Sequence, residues 1–150
     1  MAFVLAGFVF RAGASMVPAA SAVALPQGLA FARRHAPQYD DTPPTMGFER
    51  LTEEVAAAAA ACSADGRLVY LEADFFGAVG SQAAVGWEGG RVAFGPRLTQ
   101  TLTEDREGYE KVPSGQELAI NPALRWLGAS ASGAADEFDA LNLSQLDELR

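Results

Sequence analysis

Glu72 and Asp74 stand two residues apart in the run Leu68–Phe76, with Tyr70 before them and Phe76 after. If that run is a strand, a spacing of two puts all four side chains on one face, with successive α-carbons on that face about 6.6–6.8 Å apart. Two carboxylates so placed can divide acid and base work, as in glycoside hydrolysis. They can share a hard cation with oxygens from Ser81 or Gln82. They can also orient a protein partner, since acids mixed with Tyr and Phe have the composition of an interface. Catalysis or metal binding requires an enclosed site, whereas a partner requires an open face. In a further arrangement a helix covers the face and leaves the acids at its edge.

Other chemistries find little support. His35 is the one histidine and Cys62 the one cysteine, which excludes the common zinc sites and leaves no Ser-His-Asp order to assign. Cys62 reads as a small core residue, because a nucleophilic thiol needs a base. Gly77-x-x-Gly80-Ser81 lacks the lysine of a phosphate-binding loop and follows two carboxylates. Gly77 and Gly80 therefore read as a tight turn or bulge, with Gln82 bonding the loop backbone. No cofactor and no metal are expected. The candidate partner-binding residues are Tyr70, Glu72, Asp74 and Phe76.

These residues must be held by surrounding elements. Phe3–Phe10 is rich in Phe and Val and reads as a buried strand. The first charge, Arg11, follows this run instead of preceding it. That is the wrong order for a secretory signal, and the run is far short of the roughly 20 residues that span a bilayer. Ala22–Ala32 is a second apolar run, interrupted by Pro26 and Gly28. His35–Gly47 is a proline-rich loop. Phe48, Leu51, Val55, Ala58 and Cys62 recur at helical spacing and predict a helix over 48–62. Arg67–Phe76 predicts a strand, with Val69, Leu71, Ala73 and Phe75 on its second face. Gly89-Gly90 predicts a hairpin turn between Ser81–Trp87 and Arg91–Phe94. Thr99–Gly115 reads as a long surface loop.

In Asn121–Gly128, asparagine suits a cap, Pro122 a first turn and Gly128 a helix end. Asp136-Glu137-Phe138-Asp139 reads as a solvated turn within reach of Arg125. Ser144–Arg150 reads as a short final helix.

The 150 residues suffice for one domain, and 49% hydrophobic with 20% charged residues is a globular composition. With 11 Lys plus Arg against 19 Asp plus Glu, the net charge is −8. DNA phosphates would repel such a chain, so nucleic acid is a poor partner, while a basic protein suits it. A lone cysteine suits a reducing compartment, and the expected location is cytoplasmic, without a membrane span.

The segments "YLEADFFGAVGSQAA", "INPALRWLG" and "DEFDALNL" resemble a series found in small bacterial proteins of no assigned activity. In them an aromatic-acidic strand runs through a Gly-rich turn into a Gln-Ala-Ala strand. The resemblance covers Arg67–Leu143, and "VALPQGLAFA" extends it. It implies one small cytosolic α+β domain and transfers no catalytic role. The proline-rich 35–45 loop and the 99–115 segment depart from the pattern.

The expected fold is thus a single α+β domain over 1–150: a mainly antiparallel sheet, one longer helix near 48–62 and short C-terminal helices. The leading functional expectation is a non-catalytic interaction module, immunity-like, binding a basic protein through Tyr70, Glu72, Asp74 and Phe76. The alternatives are a small hydrolase or metal-dependent enzyme using Glu72 and Asp74, and a structural or self-associating module.

Overall fold

The computed structural model describes residues 2–13, 22–34 and 43–147. His35 and most of the expected proline-rich loop lie outside this range, as do residues 148–150 of the expected last helix. The fold is α+β, built on one sheet of seven strands in the order β2-β3-β1-β4-β5-β6-β7. The strands are β1 (Ala2–Arg11), β2 (Ala22–Ala24), β3 (Leu29–Arg33), β4 (Leu68–Phe76), β5 (Val79–Glu88), β6 (Arg91–Thr101) and β7 (Glu110–Val112). All pairings are antiparallel except that of β6 with β7. Among the described residues three α-helices accompany the sheet: α1 (Glu53–Cys62), α2 (Ile120–Leu127) and α3 (Glu137–Ala140). Among the described residues no helix is long and apolar enough to cross a membrane.

The apolar first strand lies inside the sheet. β1 pairs with β3 on one side and with β4 on the other, which explains why its Phe and Val side chains find cover on both faces. Alternation along β1 and β4 divides the core into two layers. Phe8, Leu68, Tyr70 and Trp87 face α1, together with Phe48 and Leu51. Leu5, Val9, Val69 and Leu71 face α2, where Ile120, Leu124 and Leu127 cover them.

The helix expected over 48–62 begins later. Thr52 is its cap, its hydroxyl accepting from the Val55 amide at 3.3 Å, with Glu53 and Glu54 in the first turn where the helix dipole favours them. Phe48 and Leu51 are buried as expected, but from a preceding loop. The buried helical positions are Ala56 and Ala59, small residues that let the helix approach the sheet closely. The expected loop over 99–115 is also shorter than read: β6 runs to Thr101 and Glu110–Val112 pairs alongside it.

α2 does not cap itself with Asn121. Its first amides are satisfied from the sheet: Ala119 N–H donates to Thr99 Oγ1 at 2.9 Å and Ile120 N–H to Gln82 Oε1 at 3.0 Å. Asn121 instead ties α2 to α3, donating to Asp136 Oδ2 at 3.1 Å and accepting from Phe138 N–H at 3.0 Å. Gly128, at φ +116°, ends the helix in the left-handed region. Asp136–Asp139 is a capped helical turn, with Asp136 Oδ1 accepting from Asp139 N–H at 2.8 Å. In it Glu137 is buried against Arg125 at 2.9 Å, in place of the expected solvated turn. Near the terminus, Leu143–Leu146 forms a 3₁₀ turn.

Candidate functional site

β4 puts Tyr70, Glu72, Asp74 and Phe76 on the α1 side of the sheet, as their spacing requires, but that face is not uniformly open. Tyr70 is fully buried between Phe8 and Phe48, with ring centroids at 5.1 and 5.4 Å. Glu72 is 8% exposed, whereas Phe76 is 73% exposed. The four residues therefore do not form one partner-facing surface: the first two belong to the interior, and only Asp74 and Phe76 reach its edge. The cover is the segment before α1, with Phe48 and Leu51 packed over Tyr70.

That segment is shaped by its own sequence. Met46 and Gly47, at φ +59° and +83°, make a left-handed turn. Pro44 bridges to Thr52, and Thr45 N–H donates to the Leu51 carbonyl at 2.7 Å. The folded-back loop aims two consecutive amides at β4. Glu49 N–H reaches Glu72 Oε1 at 2.9 Å and Arg50 N–H reaches Oε2 at 2.8 Å. Tyr70 Oη donates to the same Oε2 at 2.7 Å. Glu72 thus occupies an anion cradle made by the chain's own backbone. Burial pushes its carboxyl above the usual range; the three donors oppose this, and the Glu49 carboxylate adds to it. Burial, and then Glu72, push the Tyr70 phenol upward.

Asp74 belongs to a polar cluster at the edge of this cover. Arg106, from the loop between β6 and β7, donates through Nη1 to Ser81 Oγ at 2.6 Å. Its Nη2 lies 3.0 Å from Glu49 Oε1 and 3.8 Å from Asp74 Oδ2. The guanidinium sits 5.0 Å from the Tyr109 ring centroid. Gln100 holds the loop, accepting from Arg106 N–H at 2.8 Å and donating to the Tyr109 carbonyl at 2.9 Å. Glu49, Tyr109 and Arg106 were not legible as members of the site. The single base inside Glu104–Glu107 was the one cue to an ion pair, and nothing marked the two loop amides.

Both Glu72 oxygens are engaged, and the free volume among Glu49, Glu72, Asp74, Ser81, Arg106 and Tyr109 is about 10 Å³, at the lower limit for one water. Among the described residues no group of three or more His, Cys, Asp or Glu side chains is placed to hold a metal ion.

The two glycines serve geometry. Gly77-Ala78 is a two-residue turn joining the paired residues Phe76 and Val79. Positive φ at Gly77 (+62°) and not at Ala78 is the pattern of a type II′ turn. Gly80 lies within β5, where an added Cβ would overlap the Asp74 carbonyl and the Phe75 ring. Gln82 does not bond the turn backbone, as its position suggested, but reaches forward to α2.

Beyond the polar cluster the sheet ends in an exposed apolar row. Phe76 on β4 pairs with Val79 on β5, which is 43% exposed, and Leu102 just past β6 is 52% exposed. Exposed Asp105 and Glu107 follow Leu102 in the same loop. No family model matches the chain, and no curated protein or solved structure does.

Proposed function

We propose that this chain is a non-catalytic interaction module that meets a basic protein partner at the end of the sheet carrying Phe76, Val79 and Leu102. The observation that carries this reading is the exposure of those three large apolar side chains at one sheet end, with Asp74 two residues from Phe76 on the same strand and exposed Asp105 and Glu107 in the loop that follows Leu102. Apolar side chains supply the desolvated contact of an interface, and surrounding charges steer encounter and exclude wrong partners. The contact surface lies one row outward from Tyr70 and Glu72. A net charge of −8 favours a basic partner over a second copy of the chain. An immunity-like role in the cytoplasm fits this chemistry, and the free thiol of Cys62 suits a reducing compartment. No feature of the Glu72 and Asp74 surroundings favours the hydrolase alternative.

Affinity capture from native lysate at two salt concentrations, followed by titration of the purified captured protein, tests the proposal. The Phe76→Ser/Val79→Ser variant is expected to weaken binding at least tenfold at both salts. Asp105→Asn/Glu107→Gln is expected to weaken it at low salt only. A captured protein that binds both variants like wild type would falsify the assignment. Concentration-dependent dimerisation lost in Phe76→Ser/Val79→Ser, with no captured partner, would instead establish self-association.

A further inference from the structure

The opposite face of the sheet carries a second feature, independent of the interaction surface. An open cleft of about 260 Å³ lies between the sheet and the C-terminal elements, lined by Phe3, Ala73, Phe75, Gln82, Phe138 and Ser144. The sheet register accounts for it. Phe3 pairs with Phe75, and Phe75 with Gly80, while Ala73 sits beside Gln82 one row inward. The small side chain of Ala73 forms its floor, and the aromatic side chains of Phe3 and Phe75 stand at its walls, the Phe75 ring lying over Gly80. Phe138 of α3 contributes a third ring, packed edge-on against Phe3 with centroids 5.9 Å apart. Apolar cavities of about 150 Å³ already accept a benzene ring.

Gln82 makes this cleft more than a packing gap. Its Oε1 is committed to the Ile120 amide at 3.0 Å. That contact fixes the side-chain amide, and its Nε2 donates to no described residue. An apolar cleft whose polar lining is the Gln82 amide and the Ser144 hydroxyl suits a ligand with an apolar body and one acceptor. Among the described residues no lysine, arginine or histidine lines the cleft, so an anion would meet no countercharge from them. We propose that the cleft binds a small neutral aromatic molecule, its ring among Phe3, Phe75 and Phe138 and its single carbonyl oxygen on Gln82 Nε2.

Titration of the ¹⁵N-labelled full chain, followed by amide shifts, tests this with acetophenone, benzene and benzoate as probes. Acetophenone is expected to give saturable shifts at the Gln82 side-chain amide and at Ala73, Phe75 and Phe138. Benzene is expected to bind the same place at least fivefold more weakly, and benzoate more weakly still. Gln82→Glu keeps an acceptor for Ile120 and removes the donor, so acetophenone should fall to the affinity of benzene. Ala73→Leu fills the floor and should abolish binding of both neutral probes, with thermal melts verifying that each variant is folded. The proposal is overturned if neither neutral probe shifts these residues saturably, if both folded variants bind like wild type, or if benzoate binds tightest.

Discussion

Replacing Glu72 with glutamine keeps one acceptor oxygen and puts an amide nitrogen where the other oxygen stood. A protonated glutamic acid can still accept from both loop amides, but glutamine leaves one of them without a partner. A fully buried unpaired amide costs about 1–3 kcal/mol; the Glu49 and Arg50 amides are part-buried, so Glu72→Gln should lose about 1 kcal/mol at pH 5. The cost should shrink toward pH 8. Burial raises the folded-state pKa of Glu72 above its unfolded value. The linked stability is therefore complete below the unfolded carboxylate range and is lost as pH rises through the folded value. Wild type loses it and the variant has no proton to release. Urea denaturation of both proteins from pH 5 to 8 measures the gap; no gap at pH 5, or one that widens with pH, would refute the account. Which side chains share the face of Glu72 was legible, because alternation in a strand is geometric. What covers that face was not, because the cradle is built from backbone amides of a loop brought back by Met46 and Gly47.

Among the elements, the hairpins were the most legible. Gly89 and Gly90, at φ +63° and +85°, make the turn that their sequence announces. Gly77 and Gly80 look alike in sequence yet serve different physical needs. Gly77→Ala places a β-carbon at φ +62° and should cost about 1 kcal/mol. Gly80→Ala forces a methyl group into the Asp74 carbonyl and the Phe75 ring, an overpacking that should cost about 2–3 kcal/mol. Equilibrium unfolding of the two variants ranks them, and a neutral Gly80→Ala would contradict the packing assigned to it. The start of α1 was misread because Phe48 and Leu51 continue its apolar period by chance, while Thr52 and its hydrogen bond to Val55 decide the boundary. β7 was missed because three residues, two of them charged, carry no recognisable alternation.

At the scale of the molecule, 19 acids against 11 bases leave the folded chain repelling itself. Added sodium chloride screens that repulsion over a Debye length of about 10 Å at 0.1 M. It also weakens local ion pairs such as those of Arg67, Arg106 and Arg125, which are at least partly exposed and worth about 0–1 kcal/mol each. Raising the salt to about 0.5 M should lift the melting temperature by about 2–4 °C, equivalent to about 1 kcal/mol for a chain this size; a fall would mean the local pairs outweigh the surplus. An α+β class was legible from alternating runs and one alanine-rich helix, whereas the strand order was not, since β1 finds its neighbours about 20 and 60 residues onward. The dependence of α2 on Thr99 and Gln82 has a consequence in time. A helix of eight residues holding Pro122, with no side-chain cap of its own, is too short to persist alone. β5 and β6 are joined by two residues and can zip early at little loop-closure cost. The helical state of α2 thus depends on strands in register, and α2 is expected to become helical with the β5–β6 hairpin or after it, never alone.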